Sequence, residues 1–253
     1  MNRKCLNSYF GIIVDIQNIV ESKYAIKYGA NALMLYDNIP VDIKNLNIST
    51  LQFNPNIIKD IINTINVPLI PRIRIGNITE LNILLKMGIT HFYEKNIIYT
   101  SNNSFLDKEN YYNLIFINGS NQFMEIIDLY KKKTDIIKIT GKNINDIISA
   151  LQDIYNIISD LKKNENNSAY LKHKIGKYNL TIKIVKYIIK FEKLPIPLYI
   201  SCITNSQDFE LIIQQTHLLK IIDGIVIENS IFQLQDYENQ LLNIMNLRDN
   251  IIS

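Results

Sequence analysis

Short apolar runs alternate along this chain with longer segments in which apolar residues recur at helical spacing. Apolar runs of this length are typical of strands buried on both faces, as in a parallel sheet whose crossovers are helices. The sequence predicts eight such strands. They are Gly11 to Ile16, Ala30 to Tyr36, Val67 to Ile73, Thr90 to Tyr93, Asn113 to Asn118, Thr134 to Thr140, Pro195 to Ser201, and Asp223 to Ile227.

Amphipathic helices are predicted between the strands. One begins at Asn54 and Pro55, because asparagine caps a helix and proline suits its first turn. Further helices are predicted over Thr79 to Met87, Asn121 to Lys132, Ile144 to Leu161, Lys177 to Phe191, Ser206 to Leu218, and Gln235 to Leu247. Residues 162–169 are polar, and the pattern predicts a mobile loop there.

Eight strands with intervening helices predict an α/β fold, a (β/α)8 TIM barrel. We expect residues 1–253 to form a single domain in which a short segment, residues 1–10, precedes the first strand. The chemistry of such barrels is carried by residues at the carboxyl ends of the strands. Asp15, at the end of the first strand, is therefore a candidate site residue.

The composition argues against several classes of function. Of the 253 residues, 47% are hydrophobic and 20% charged, which is the balance of a folded domain. The net charge of +3 and the scattered lysines argue against nucleic acid as a partner. No apolar stretch is long enough to span a membrane, and Cys5 and Cys202 show no metal-ligand spacing. We expect a reduced, cytoplasmic protein that has no metal and no other cofactor.

The segment Leu69 to Asn77, LIPRIRIGN, carries the most specific motif of the chain. Together with Gly11 to Asp15 and Ile39 to Ile43, it resembles the synthase subunit family of pyridoxal 5'-phosphate synthase, which makes vitamin B6 from sugar phosphates and ammonia. Lys193 to Pro195 and the pair Asp223 and Gly224 continue the resemblance in the same order. The resemblance therefore covers nearly the whole chain and implies the same barrel fold.

The resemblance implies catalytic roles for three positions. Asp15 corresponds to an aspartate that contacts the sugar. Arg72 stands where the family has a lysine that forms an imine with the pentose phosphate, and Thr140 stands at a second lysine that takes over the intermediate. Neither a guanidinium nor a hydroxyl can form an imine. Lys138 shares the strand face of Thr140 but is displaced from it by roughly 6 to 7 Å.

The resemblance also implies a phosphate-binding region, and this region is degenerate. Its positions are Arg74, Gly141, Cys202, Ile203, Glu228 and Asn229. Cys202 and Ile203 replace a glycine pair, so their side chains are expected to block the close approach of phosphate to the backbone. The carboxylate of Glu228 would repel a phosphate dianion.

Two readings remain open for the arginines of the motif. Arg72 and Arg74 are two residues apart on a strand, so they share a face. They could hold an anion, or they could pair with Asp15 and Glu94 inside the barrel. We favour pairing, because inward charges are costly unless they are paired.

These replacements lead to two functional hypotheses. The first is a non-catalytic pseudoenzyme, a homo- or hetero-oligomer that assembles with active synthase subunits or regulates them. The resemblance also implies a glutaminase subunit as a candidate partner. The short segment before Gly11 argues against this partner. The second is a divergent active pyridoxal 5'-phosphate synthase subunit that uses Lys138, or a lyase for a small sugar phosphate. Its candidate residues are Asp15, Arg72, Arg74 and Glu94. A gene product without function is a third reading.

Overall fold

Nine parallel strand segments build the sheet of the computed structural model, which describes residues 10–35, 53–95 and 105–252. They are β1 (Gly11–Ile16), β2 (Ala32–Leu35), β3 (Leu69–Ile70), β4 (Arg72–Arg74), β5 (His91–Lys95), β6 (Ile115–Ser120), β7 (Ile136–Ile139), β8 (Leu198–Ile203) and β9 (Gly224–Ile227). Their order in the sheet is β3-β2-β1-β9-β8-β7-β6-β5-β4. Cys5, Tyr36 and the motif segment Ile39 to Ile43 lie outside the described residues.

The sheet closes into a barrel at Pro71. This residue separates β3 from β4, the two ends of the strand order, and it has no N–H to donate to a ladder. Its carbonyl nevertheless accepts the N–H of Tyr93 at 3.0 Å. Because β3 pairs with β2 and β4 pairs with β5, the two segments act as one interrupted strand. The barrel thus has eight strands, and the predicted (β/α)8 TIM barrel is confirmed.

Ten α-helices lie in the described ranges. They are α1 (Ile19–Lys27), α2 (Pro55–Ile62), α3 (Ile78–Lys86), α4 (Phe123–Lys131), α5 (Ile144–Lys163), α6 (Ser168–Lys177), α7 (Ile182–Phe191), α8 (Ser206–Ile213), α9 (Thr216–Leu219) and α10 (Tyr237–Ile252). As predicted, α2 begins at Pro55, and the Asn54 side chain accepts the N–H of Asn56. None of the helices in these ranges combines the length and the apolar character needed to cross a membrane.

The region predicted as a mobile loop, residues 162–169, contains a turn over residues 164–167 between two helix ends. α5 continues to Lys163, and α6 begins at Ser168. The carboxylate of Asp160 accepts the hydroxyl hydrogen bond of Tyr170 at 2.8 Å and pairs with Lys174 at 2.8 Å. These contacts join the end of α5 to α6 across the turn, and the connection is shorter than the segment that the sequence predicted.

Several other predicted boundaries differ from the structure by a few residues, and the helix predicted over Ser206 to Leu218 is divided into α8 and α9. Two further differences have a clear physical reason. The helix predicted over Lys177 to Phe191 is divided, because Asn179 adopts a left-handed φ of 51° between α6 and α7. The strand predicted over Pro195 to Ser201 begins three residues later, at Leu198. Pro195 and Pro197 have no N–H to donate to the ladder, so regular strand pairing begins only after them.

Apolar side chains fill the lower part of the barrel interior. This inner cluster comprises Ile13, Ala32, Met34, Ile70, Tyr93, Ile117, Ile136, Tyr199 and Val226. Tyr199 needs the space left by two glycines: a Cβ on Gly11 would lie 2.1 Å from its hydroxyl, and a Cβ on Gly224 would lie 2.4 Å from its ring. Because side chains alternate along a strand, the next inward residue after Ile13 is Asp15. The interior therefore changes from apolar to charged toward the carboxyl ends of the strands.

Candidate active site at the carboxyl ends of the strands

Four charged side chains form a layer across the barrel above the apolar interior: Asp15 on β1, Arg72 on β4, Lys138 on β7 and Glu228 after β9. Arg72 Nη2 lies 2.9 Å from Asp15 Oδ2. Lys138 Nζ lies 3.8 Å from Asp15 Oδ2 and 3.5 Å from Glu228 Oε1. Two cations thus face two carboxyl groups, and we refer to these four residues as the charged layer.

The charged layer is largely withdrawn from solvent. The side chains of Asp15, Arg72 and Lys138 are 0%, 10% and 5% exposed, and that of Glu228 is 26% exposed. The ring of Tyr93 lies beside both cations, 5.8 Å from the Arg72 guanidinium carbon and 5.6 Å from Lys138 Nζ. Buried charges are stable only while they are paired, so the four groups depend on one another.

Lys138 is held in its protonated form. Burial by itself lowers the pKa of a lysine, but the carboxyl groups of Asp15 and Glu228 outweigh it, and the pKa of Lys138 is raised above its ordinary value. An ammonium has no lone pair with which to attack a carbonyl carbon. The geometry therefore does not favour Lys138 as a replacement for a missing imine-forming lysine.

The two carboxyl groups of the layer differ in acidity. Burial raises the pKa of Asp15, and its contact with Glu228 acts in the same direction. Burial also works to raise the pKa of Glu228, but Lys138 and the N–H of Cys202 outweigh it, so the pKa of Glu228 is lowered. The pKa of Asp15 is thus shifted above the ordinary value of an aspartate, and the pKa of Glu228 below the ordinary value of a glutamate.

The end of β8 keeps a backbone conformation suited to glycine. Cys202 has φ 63°, in the left-handed region that glycine adopts at little cost. Its N–H donates to Glu228 Oε1 at 3.2 Å, and its thiol donates to the carbonyl of Gly141 at 3.3 Å. The N–H of Cys202, which could donate a hydrogen bond to a bound anion, therefore already donates to a carboxylate of the same chain.

The arginines of the motif diverge despite sharing a strand face. Arg72 pairs with Asp15, as we expected. Arg74 pairs with Glu80 of α3, and its Nη2 lies 2.9 Å from Glu80 Oε1. The prediction that Arg74 pairs with Glu94 is therefore wrong. Glu94 instead lies 2.8 Å from Lys108 Nζ, and it also accepts the N–H groups of Gly76 and Leu106. Arg74 and Glu94 are thus structural partners of other residues.

Two residues of the predicted phosphate region face away from the cleft. Ile203 is fully buried in the apolar shell between the sheet and the helices, so its side chain does not block approach to the backbone, contrary to expectation. The Asn229 side chain donates to Glu21 Oε2 at 2.7 Å and lies 3.4 Å from the carbonyl of Asp15. Asn229 therefore joins the end of β1 to the start of α1.

Helix N-termini next to the strand ends are capped by the chain itself. At α5, the Asn143 side chain accepts the N–H of Asp146, whose carboxylate accepts the N–H of Lys142 at 2.8 Å. At α8, Asn205 and Asp208 repeat this arrangement. In the described residues, the pairs of this kind are Asn18 and Glu21, Asn77 and Glu80, Asn143 and Asp146, and Asn205 and Asp208. Free helix N-termini bind phosphate readily, and these donors are already used.

An open cleft of about 920 Å³ lies above the charged layer. Its lining includes the predicted site residues Arg72, Thr140, Gly141, Cys202 and Glu228. The structure thus brings these five together. It places no group of three His, Cys, Asp or Glu side chains within reach of a shared metal ion in the described ranges.

Several residues of the site were missed in the sequence. Tyr93 and Lys95 line the cleft. To predict this from the sequence, one would have had to know which side chains of β5 point into the barrel. The capping pairs had a clearer signal, because each reads Asn-x-x-Asp or Asn-x-x-Glu shortly after the end of a strand. This repeated spacing indicates helix starts that use their own N–H donors.

Comparisons with known proteins agree with this architecture. The model of the SOR/SNZ family matches residues 4–201. The pyridoxal 5'-phosphate synthase subunit PdxS of Treponema denticola is 26% identical over 191 residues, covering 74% of this chain and 67% of the relative. The subunit of the same name from Sulfurisphaera tokodaii is 22% identical over 231 residues, covering 89% of this chain and 71% of the relative.

A solved structure shares the fold. Thiamine phosphate pyrophosphorylase from Pyrococcus furiosus superposes with a TM-score of 0.57 at 12% identity, covering 98% of this chain and 99% of its own. At this identity the likeness concerns the fold alone. The matches to the curated synthase subunits span about two thirds of the length of those relatives. Since the family model matches well over half of the residues, the chain belongs to the SOR/SNZ family, a family of vitamin B6 biosynthesis.

Proposed function

We propose that this chain is a non-catalytic member of its family that assembles with active pyridoxal 5'-phosphate synthase subunits and stabilises or regulates them. One observation carries the proposal. Arg72 and Thr140 stand where the resemblance places the two imine-forming lysines, and the nearest amine, Lys138, is held as an ammonium by Asp15 and Glu228. Without a neutral amine at these positions, the covalent steps of the synthase have no nucleophile.

The state of Asp15 supports the same conclusion. The resemblance gives this aspartate a contact with the sugar, but here its Oδ2 is 2.9 Å from the Arg72 guanidinium and is fully buried. Arg72 thereby serves as a structural counterion for a group that would otherwise face the substrate. Removing a nucleophile alone lowers the rate of an enzyme by several orders of magnitude. Here the ion pair with Arg72 also takes the Asp15 carboxylate away from a substrate in the cleft.

The backbone donors around the cleft support it independently. A phosphate ester would need free N–H groups at the ends of β7 and β8. The N–H of Cys202 donates to Glu228, and the N–H of Lys142 donates to Asp146. A phosphate would have to displace both carboxylates before it could bind.

Exposed apolar side chains support a role in assembly. On α7, Tyr187 is 38% exposed and Phe191 is 51% exposed. The rings of these two residues lie 4.6 Å apart. Exposed aromatic side chains in contact with each other are typical of protein contact surfaces. The relatives are themselves named as subunits, which favours a family member as the partner.

The assembly proposal is tested by co-expressing the full chain with a family subunit that carries both lysines. We expect the two to co-elute in size-exclusion chromatography with a mass that includes both. Phe191→Ser should weaken this association, while Leu242→Ser, at an apolar position of similar exposure on α10, serves as the matched control. A chain that stays alone in the presence of active subunits would contradict the proposal.

The lack of catalysis is tested on the purified chain. With pentose phosphate, triose phosphate and ammonium as substrates, we expect no pyridoxal 5'-phosphate by absorbance or mass spectrometry. A lysine-bearing family subunit serves as the positive control. Product formed by the isolated chain would contradict the proposal directly.

The open cleft favours a second candidate, a divergent synthase subunit or a lyase for a small sugar phosphate. Its volume of about 920 Å³ is ample for such a ligand, and Arg72 and Lys138 lie at its base. The two candidates are separated by incubation with ribose 5-phosphate and borohydride. A stoichiometric lysine adduct would favour the second candidate, and its absence would support the first.

A further inference from the structure

Helices α6 and α7 concentrate the positive charge of the chain. Six lysines and no aspartate or glutamate lie between Ser168 and Phe191. Since the whole chain carries a net charge of +3 and this segment carries +6, the other residues together carry −3. The segment lies within the continuously described range of residues 105–252. Its lysines, which look scattered in the sequence, therefore give the molecule a strong charge asymmetry.

The fold arranges three of these lysines as a stripe along α7. Lys183, Lys186 and Lys190 follow one another at intervals of three and four residues, so they share one face of the helix. All three are exposed, whereas Ile184 and Ile188 are buried in the apolar core on the opposite face. The lysine stripe thus faces solvent on a helix whose orientation is fixed by burial.

Contacts within the chain do not account for the lysine stripe. Lys183 lies in the first turn of α7, where the partial positive charge of a helix N-terminus disfavours a cation. No acidic residue lies in that turn. In the part of the chain that the structure describes, Lys174 is the one lysine of the segment that pairs with a carboxylate, that of Asp160. The stripe is therefore a surface of uncompensated charge.

The end of α4 extends this basic surface. The side-chain amide of Asn179, in the turn between α6 and α7, donates to Asp128 at 3.1 Å, and Lys131 donates to the carbonyl of Asn179. Lys131 begins a run of three exposed lysines that ends at Lys133. These contacts hold the last turn of α4 beside the start of α7, so both groups of lysines contribute to one surface.

We infer that this surface binds a membrane that contains anionic phospholipids. Clustered lysines on a helix are typical of binding to anionic lipid headgroups. Tyr187 and Phe191 each follow a lysine of the stripe by one position and are 38% and 51% exposed, so their rings flank it. Aromatic rings are enriched at the boundary between headgroups and acyl chains. Binding at the membrane surface needs no membrane-spanning helix.

The residue types favour a membrane over a protein or a nucleic acid. Lysine is depleted in protein interfaces, whereas a layer of negative headgroups attracts lysines over about a Debye length without direct contact. Arginine is preferred for nucleic acids, because its guanidinium forms paired hydrogen bonds with phosphate, and residues 168–191 contain no arginine. The inference goes beyond the proposed function, because assembly with other subunits requires no lipid.

The test uses the full chain alone and two kinds of vesicle, one of phosphatidylcholine and one of phosphatidylcholine and phosphatidylserine in equal amounts. Co-sedimentation measures the bound fraction. We expect binding to the vesicles with phosphatidylserine and release as the salt concentration rises, because salt screens the attraction. Combining Lys183→Gln, Lys186→Gln and Lys190→Gln should weaken binding on the order of a hundredfold, since each lysine near such a surface contributes about fivefold.

The matched control combines Lys23→Gln, Lys59→Gln and Lys86→Gln, which remove the same charge from exposed positions on α1, α2 and α3. This variant should bind the anionic vesicles nearly as well as the unmodified chain does. Equal losses in the two triple variants would overturn the inference, because net charge alone would then explain the binding. An unmodified chain that does not bind the vesicles with phosphatidylserine, or that binds pure phosphatidylcholine equally well, would also overturn it.

Single-stranded RNA and poly-glutamate are tested under the same conditions. Tighter binding to either of them than to the anionic vesicles would overturn the choice of a membrane. Unfolding midpoints of the variants show whether a loss of binding reflects unfolding. Active subunits are absent from this experiment, so its failure would leave the co-elution test of the proposed function unaffected.

Discussion

Glu228 Oε1 accepts the backbone N–H of Cys202 at 3.2 Å, at a residue whose φ of 63° lies in the left-handed region. The chain thus keeps a backbone shape that suits glycine and an N–H that points toward the cleft. It then supplies its own carboxylate to that N–H, and the same carboxylate lies 3.5 Å from Lys138. An internal anion occupies a place where a bound anion would otherwise gain two favourable contacts.

Glu228→Ala is expected to open an anion site. The substitution frees the N–H of Cys202 and leaves Lys138 with Asp15 as its remaining carboxyl partner. Inorganic phosphate should then raise the thermal unfolding midpoint by a few degrees in a concentration-dependent way, because a ligand that binds the folded state stabilises it. Differential scanning fluorimetry measures this shift.

Glu228→Gln is the matched control for this experiment. Glutamine keeps an oxygen acceptor for the N–H of Cys202 and fills the same space, so its response to phosphate should be much smaller. If Glu228→Ala were as insensitive to phosphate as the unmodified chain, the blocking role of Glu228 would be wrong.

Lys138→Met is expected to destabilise the fold by about 3 kcal/mol, the usual cost of breaking a buried ion pair. The substitution leaves the carboxyl groups of Asp15 and Glu228 together with Arg72 as the single counterion in the charged layer. Urea denaturation followed by circular dichroism measures the change in the free energy of unfolding.

Lys142→Met provides the comparison, because Lys142 lines the same cleft but is exposed. Its cost should stay within about 0.5 kcal/mol. Combining Lys138→Met with Glu228→Gln should cost less than the sum of the two single changes, since they act on one interaction. Similar costs at Lys138 and Lys142 would show that the charged layer adds nothing to stability.

The acid limb of the stability curve is expected to depend on Glu228. Its pKa lies below the ordinary value of 4.5 in the folded chain, so the folded state binds fewer protons there than the unfolded state. The stability gained is present above pH 4.5 and is lost as the pH falls through the lowered pKa. Asp15, whose pKa is raised, acts in the opposite sense and is stabilising while it is protonated.

Unfolding midpoints of the unmodified chain and of Glu228→Gln should therefore differ most at neutral pH and converge below pH 4.5. Glu125→Gln is a suitable control, because Glu125 lines the same cleft. Its carboxylate accepts a hydrogen bond from the hydroxyl of Ser120, whereas that of Glu228 pairs with Lys138. A constant difference between the two curves down to strongly acidic pH would contradict the assignment.

Cys202→Gly is expected to be more stable than Cys202→Ala by about 1 kcal/mol, because a left-handed residue with a Cβ carries a steric cost that glycine avoids. Both substitutions remove the thiol that contacts the carbonyl of Gly141, so their comparison isolates the backbone effect. Urea denaturation of the two variants measures it. An alanine variant as stable as the glycine variant would show that the φ of 63° costs little here.

Features that depend on near neighbours could be predicted from the sequence. The alternation of apolar runs and helical periods predicted the barrel, and Asn54 with Pro55 predicted the start of α2. The LIPRIRIGN motif indicated the family, and the resemblance predicted that Arg72 and Thr140 stand where the family has lysines. These signals lie within a few residues of one another, where spacing and capping act directly.

The choice of partners was made by the tertiary structure. Arg72 bonds Asp15 across 57 positions of the chain, and Cys202 bonds Glu228 across 26. The sequence did not reveal that Arg74 pairs with Glu80 rather than Glu94. No nearby residue indicated that Glu94 forms an ion pair with Lys108. A charge lowers its energy by binding whichever opposite charge the fold brings within reach, and that distance is set by the closed barrel rather than by neighbours in the chain.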